Sequence, residues 1–327
     1  MNEKLNLYFN KDANLELLKK IKIGIIGFGN QGRAQALNIR DRGLNVKIGI
    51  RANSKSIENL KDLSLKYDDI GKVVSWADIV VMLVPDKLMS KIYNSDIKEN
   101  LKDDQTIVFS HGYNIHYKLI TPPNNVNVVM VAPSGGGRNV RNEFKKGSGV
   151  PSLIAVHQDY SGNSFEIAKA YSRAIGSTRI CSFLSTFKEE TETDLFGEQV
   201  LLTGGIPYMI SKSLKVLLED GYSPEVAWFV CYYEIKTIVD LFHEKGFDFL
   251  YKSISDTARY GGITRGDYLI DETIETKMKH ILAQIKDGSF HLEMLNNSNN
   301  KSFDDELSDE NKEKIKKLMD SIFKKTC

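Results

Sequence analysis

Two groups of residues in this sequence have the types and spacing to do chemistry. The first is Gly27-Phe28-Gly29-Asn30-Gln31-Gly32. Glycines at this spacing suit a dinucleotide: Gly27 allows a tight turn, Gly29 lets the backbone approach a pyrophosphate, and Gly32 lets a helix pack against a strand. The helix that follows turns its first N–H groups toward the phosphates. Further on, where an NAD site places an acid against the ribose 2′-hydroxyl, stands Arg51-Ala52-Asn53-Ser54-Lys55-Ser56. Arg51 can pair with a 2′-phosphate, Ser54 and Ser56 can donate to it, and no acid repels it, which argues for NADPH. The competing reading is a polar surface loop.

The second group is acidic. In Phe187-Lys188-Glu189-Glu190-Thr191-Glu192-Thr193-Asp194-Leu195-Phe196-Gly197-Glu198, the carboxylates of Asp194 and Glu198 are four apart. On a helix they share one face, which is unfavourable unless a cation sits between them. Hard oxygen ligands of this kind suit Mg²⁺. Glu234, in Tyr232-Tyr233-Glu234-Ile235-Lys236, has apolar and aromatic neighbours and is expected to be a buried or half-buried carboxylate that needs a partner. Read alone, an acidic run is more often a solvated helix face.

The elements that must position these residues fall into two halves. Ile21–Ile26, Val46–Ile50, Ile79–Val84, Thr106–Phe109, Val126–Val131 and Leu153–Val156 read as strands with helical stretches between, Gln31–Arg42 among them. Asn14–Lys20 reads as a short amphipathic helix. Strand–helix alternation implies a Rossmann-type, doubly wound parallel sheet. After about Ser185 the strand signal stops. Thr186–Leu202, Ile206–Glu219, Pro224–His243 and Asp271–Lys286 carry helical periodicity, and Gly221-Tyr222-Ser223-Pro224 is a helix stop and start. The expected domains are therefore an α/β unit at 1–184 and an all-α unit at 185–327. Asn296–Asp309 is polar and expected to be mobile.

The bulk composition excludes several classes. The chain has 327 residues, 41% hydrophobic and 27% charged, with a formal net charge of +1. Such a balance gives no electrostatic case for nucleic acid or a membrane surface. The longest apolar run, Ile79–Val84, is strand-sized. Met1–Lys20 has no apolar segment of the secretory type. The three cysteines, Cys181, Cys231 and Cys327, show no CxxC spacing, so a reduced cytoplasmic setting is expected.

Taken together these segments resemble ketol-acid reductoisomerase, also called acetohydroxy acid isomeroreductase, in its short class I form. The resemblance runs from about Leu5 to Leu295. It is carried by the glycine motif, by His111-Gly112-Tyr113-Asn114-Ile115-His116, by Val131-Ala132-Pro133, by Gly149–Gln158, by Thr186–Gln199 and by Ser253–Ala258. It implies a two-part reaction of 2-acetolactate or 2-aceto-2-hydroxybutyrate: alkyl migration between adjacent carbons, then reduction by NADPH, assisted by two Mg²⁺ ions. By position, Asp194 would bridge both metals, Glu198 would bind one, and Glu234 would act at the second from the partner subunit. Ser255, with Ile254 and Ala258 beside it, would hold the substrate carboxylate. His111 would sit near the hydride and metal site. Val84, Pro85, Asp86, His111 and Gly137 would join the glycine motif, Arg51, Ser54 and Ser56 around the cofactor. The resemblance also implies a knotted helical domain and a homodimer with shared active sites.

The sequence departs from the family pattern at two charged positions. Ser134 stands where the family has lysine. Val230, one turn before Glu234, stands where it has glutamate. Nearby, Gly136 replaces a proline and Arg138 a histidine. One positive and one negative charge are lost together, and paired loss avoids leaving a buried charge unmatched. Three functions are compatible with this pattern: an NADPH- and Mg²⁺-dependent reductase of small 2-keto acids with weakened isomerisation, a fully active ketol-acid reductoisomerase, and a non-catalytic NADPH-binding protein.

Overall fold

In the computed structural model, residues 6–296 and 309–323 are described. The chain divides into two compact units, Met1–Thr193 and Asp194–Cys327. Most of the polar stretch at 296–309, and Cys327, lie outside the described residues.

Among the described residues, the first unit is built on nine strands: β1 Leu7–Tyr8, β2 Lys22–Ile26, β3 Asn45–Gly49, β4 Tyr67–Asp68, β5 Ile79–Met82, β6 Thr106–Phe109, β7 Asn127–Pro133, β8 Ser152–Gln158 and β9 Ser182–Leu184. They form one sheet in the order β1-β9-β8-β7-β6-β5-β2-β3-β4. From β4 to β7 the pairing is parallel throughout, with Ile25 of β2 beside Ile48 of β3 and Val81 of β5. This stretch is the Rossmann sheet expected from strand–helix alternation, and its order reverses between β2 and β5, the place where such sheets take ligands. The sheet is completed differently. Strand β8 runs antiparallel to β7, and β1 antiparallel to β9.

Continuous apolar strands follow from cover on both faces. In β5, Ile79 and Val81 enter one core with Ile25, Val108 and Val129, while Val80 and Met82 enter the other with Ile26, Ile107 and Phe109. The segment expected as a helix over 14–20 forms only a 3₁₀ turn, Leu15–Leu18, capped by the Asn14 side chain accepting from the Glu16 N–H. Seven residues are too few to repay α-helix nucleation.

The second unit is helical throughout its described residues. Gly221 takes a φ of +90°, and Pro224 opens the next helix from the Ser223 cap, as the stop-and-start signature requires. Trp228 is buried against Leu214 and Ala227, and against Ile315, Leu318, Met319 and Ile322 of the last helix, Asp309–Phe323. Among the described residues, no helix is long and apolar enough to cross a membrane.

Candidate active site

A cleft of about 530 Å³ lies at the β2/β5 switch point, lined by residues 27–31 of the glycine motif, by Arg51, Ser54 and Ser56 after β3, by residues 83–86 after β5, and by Ser110 and His111 after β6. Its shape depends on glycine. Gly27 has φ +100°, and a Cβ there would stand 2.5 Å from the Leu83 carbonyl oxygen. A Cβ on Gly32 would stand 2.4 Å from the Gly27 carbonyl oxygen, so the helix Asn30–Asp41 can begin this close to β2 only without a side chain. Gly29 meets nothing within 4 Å: its bare backbone faces open space, where a pyrophosphate would sit. Ser54 Oγ accepts from the Ser56 N–H at 3.2 Å, which turns both serines toward the cleft beside the exposed Arg51.

Gly32 and Gly137, both expected at the cofactor, stand behind the cleft wall. Gly137 opens the helix Gly137–Lys145, and a Cβ there would lie 2.1 Å from the Asn30 carbonyl oxygen. The loop after β7 therefore rests directly on the glycine-motif turn. Gln31 fastens it, donating from Nε2 to the Gly135 carbonyl at 2.8 Å.

His111 is half-buried at the end of β6. Its Nδ1 lies 2.9 Å from Glu190 Oε1, and Glu190 Oε2 accepts from the Gly112 N–H at 2.7 Å. Glu190 is only 3% exposed. The approach is close enough that a Cβ on Gly112 would meet the Phe187 carbonyl and the Thr191 hydroxyl at 2.5 Å. With Glu190 ionised, Nδ1 carries the proton of this hydrogen bond, which fixes the ring's orientation. Sequence reasoning passed over Glu190, although it lies one turn before Asp194, at the same four-residue spacing that singled out Asp194 and Glu198. Asp86 also lines the cleft, and burial holds its carboxyl above the usual carboxylate range; the pull of His111 opposes this and repulsion from Glu190 adds to it.

Of the remaining acidic candidates, Asp194 lies on a regular α-helix, and Glu198 and Glu234 lie at turns of unusual pitch. The helix Phe187–Gly197 continues into a π-turn, Glu198–Leu202. There the Glu198 carbonyl accepts from the N–H groups of Thr203 at 2.9 Å and Gly204 at 3.0 Å. Glu234 closes a second π-turn, Phe229–Tyr233, with its N–H on the Phe229 carbonyl at 3.1 Å. Such turns concentrate at functional positions. Asp194 and Glu198 are exposed and follow one another on one helix. Glu234 is exposed too, contrary to the expected burial, because its aromatic neighbours Tyr232 and Tyr233 also turn outward, at 38% and 43% exposure. Ser255 caps the helix Asp256–Leu269, its Oγ accepting from the Ala258 N–H at 3.1 Å. Ile254 is half-buried beside it.

Of the departures, Ser134 is exposed directly after β7, its N–H on the Pro151 carbonyl at 2.9 Å. Arg138 is exposed in the first turn of the helix Gly137–Lys145. Val230 is exposed within the π-turn that ends at Glu234.

Two family models match this chain: the acetohydroxy acid isomeroreductase NADPH-binding domain over residues 17–181, and the ketol-acid reductoisomerase C-terminal domain over residues 187–325. The chain belongs to the ketol-acid reductoisomerase family. It is 43% identical to a ketol-acid reductoisomerase (NADP(+)) of Chloroherpeton thalassium, over 98% of each chain. It is 46% identical to the enzyme of that name from Clostridioides difficile, over 87% of this chain and 86% of that one. Among solved structures, an NADH-preferring ketol-acid reductoisomerase from an uncultured archaeon superposes with a TM-score of 0.86 at 37% identity, covering 96% of this chain and 93% of the other.

Proposed function

We propose that this chain is an NADPH-dependent oxidoreductase of the ketol-acid reductoisomerase family that acts with Mg²⁺ on a small 2-keto or acetohydroxy acid, with its isomerising step weakened. The cofactor reading is supported by the bare Gly29 backbone in the cleft and by Arg51, Ser54 and Ser56 at the 2′ end with no acid among them. NADPH supplies a hydride when bound. Asp194, Glu198 and Glu234 offer the hard oxygens that fit Mg²⁺, which polarises substrate oxygens when bound.

The chain's own groups do the rest. Glu190 orients the His111 ring through Nδ1 at the mouth of the cleft. Ser255 sits at a helix N-terminus, where N–H groups and the dipole favour a carboxylate. The two matched domains, the family membership and these groups favour an enzyme over a non-catalytic binder. The reading also takes the compartment as cytoplasmic and the assembly as a homodimer in which Glu234 and Ser255 complete the partner's site. The many exposed apolar side chains of the helical unit, among them Phe229, Val230, Tyr232 and Tyr233, support an interface there.

The weakened isomerisation rests on one observation: Ser134 and Val230 remove a cation and a carboxylate together, Ser134 from the loop seated on the cofactor turn and Val230 from the turn that carries Glu234. Serine can donate a hydrogen bond but brings no charge to a tertiary hydroxyl becoming an alkoxide. Reduction of a 2-keto acid needs only a polarised carbonyl and a positioned hydride. The double change Ser134→Lys with Val230→Glu is expected to restore alkyl migration in part, and either single change to restore little, because a developing alkoxide draws on both the cation and the metal-binding carboxylate. Equal recovery from one single change would contradict the paired reading. The names of the two relatives favour a second reading, full ketol-acid reductoisomerase activity with these substitutions tolerated.

A further inference from the structure

Gln35 has no exposed surface, though it lies on the helix that opens the nucleotide cleft. An amide in such a place is destabilising for each group left unpaired, so its partners explain its presence. Its Oε1 accepts from Tyr171 Oη at 2.7 Å. Its Nε2 donates to Gln31 Oε1 at 3.1 Å and to Ser110 Oγ at 3.2 Å. Gln31 passes the chain on, from Nε2 to the Gly135 carbonyl at 2.8 Å.

The direction of this chain is forced from one end. A backbone carbonyl only accepts, so Gln31 must turn its Nε2 to Gly135 and its Oε1 to Gln35. Gln35 must then turn its Nε2 to Gln31 and its Oε1 to Tyr171, and Tyr171 must donate. Reversing any one amide sets acceptor against acceptor somewhere along the line. Gln31 and Ser110 line the cleft, Ser110 adjoins His111, and Gly135 adjoins Ser134. Tyr171 is fully buried in the helix Ser164–Ile175 and lines no part of the cleft.

We propose that Tyr171 and Gln35 are positioning residues for the cofactor turn, a directional hydrogen-bond relay that holds Gln31, Ser110 and the loop after β7 in register around the nucleotide. The tight seat of Gly137 on Asn30 makes that register sensitive, since the two backbones have no room to slide. The inference rests on the cleft being the NADPH site.

The test is a double-mutant cycle read by NADPH fluorescence titration and thermal melting. Tyr171→Phe removes one oxygen and keeps the ring. It is expected to raise the NADPH Kd about five-fold, the effect of one neutral hydrogen bond. In a Gln31→Ala background, where the relay is already cut, the same change should not raise Kd further. The cycle repeated with Gln35→Met in place of Tyr171→Phe should show the same non-additivity, and it decides the matter if the tyrosine variant does not fold. Additive rises in Kd, or a lowered Tm with Kd unchanged, would overturn the relay and leave Tyr171 and Gln35 as packing. A parent protein that binds no NADPH would overturn the cofactor reading itself, and the relay with it.

Discussion

Replacing Glu190 by glutamine is the most informative single change at this site. The substitution keeps the shape of a side chain only 3% exposed but exchanges one acceptor for a donor. The present carboxylate accepts twice, from His111 Nδ1 at 2.9 Å and from the Gly112 N–H at 2.7 Å. A glutamine can satisfy only one of these. If its NH₂ faces Gly112, two donors oppose each other. If it faces His111, the ring must present Nδ1 as acceptor and move its proton to Nε2. A buried mismatch of this kind costs about 1–3 kcal/mol, and a charge-assisted hydrogen bond is worth about 1.5–3 kcal/mol. The expected outcome is therefore a fall in kcat for 2-keto acid reduction of roughly ten- to a hundred-fold. The Tm should drop by several degrees, at about 2–4 °C per kcal/mol. The NADPH Kd should change little, because Glu190 does not line the cleft. The assay is loss of NADPH absorbance under saturating cofactor, with a melting curve on the same sample. A full kcat with a lowered Tm would show that Glu190 only packs the helix Phe187–Gly197 against Gly112 and does not act through His111.

Other consequences can be measured separately. NADPH should bind at least ten-fold tighter than NADH, about 1.4 kcal/mol. Replacing Arg51, Ser54 and Ser56 by acids should reverse that order, and equal affinities in the parent protein would refute the role given to these residues. Gly137→Ala places a Cβ against the Asn30 carbonyl oxygen, 2.1 Å away as the backbones now stand, so NADPH affinity should fall while the helical unit's circular dichroism is preserved. Because burial raises the Asp86 pKa, the folded state holds that proton more tightly than the unfolded one. Stability from this group is therefore present below the unfolded carboxylate pKa of about 3.9 and lost as pH rises through the folded value. Asp86→Asn should accordingly gain on the parent protein at neutral pH and not near pH 3 in denaturant titrations. The protein should be at least a dimer, and a light-scattering mass equal to one chain at micromolar concentration would contradict the shared-site reading.

Much of this was legible in the sequence for physical reasons. Gly27, Gly29 and Gly32 declare a strand–turn–helix because no other residue survives a carbonyl at 2.4–2.5 Å at the first and third of them. The direction of β8 was not legible. Leu153-Ile154-Ala155-Val156 is equally apolar read forwards or backwards, and the antiparallel pairing with β7 depends on where the connection Gly137–Val150 returns the chain. The π-turns at Glu198 and Phe229 were hidden because one extra residue per turn barely disturbs a periodicity count. Glu190 was hidden for a different reason. In a run of five acids its burial is set by Gly112, which lies 78 positions away in sequence. The outward-facing Glu234 shows the opposite limit: apolar neighbours predict burial, yet within this chain they are exposed along with it.

Whether this member of the family reduces better than it rearranges can be read from one comparison. The NADPH-coupled kcat/KM of the purified protein with Mg²⁺ is measured for 2-acetolactate and for 3-hydroxy-3-methyl-2-oxobutanoate, the product of alkyl migration. The second should exceed the first by on the order of 10²-fold or more, about 2.7 kcal/mol of transition-state stabilisation lost with the charges absent at Ser134 and Val230. Comparable kcat/KM values for the two would contradict it and make this an ordinary ketol-acid reductoisomerase.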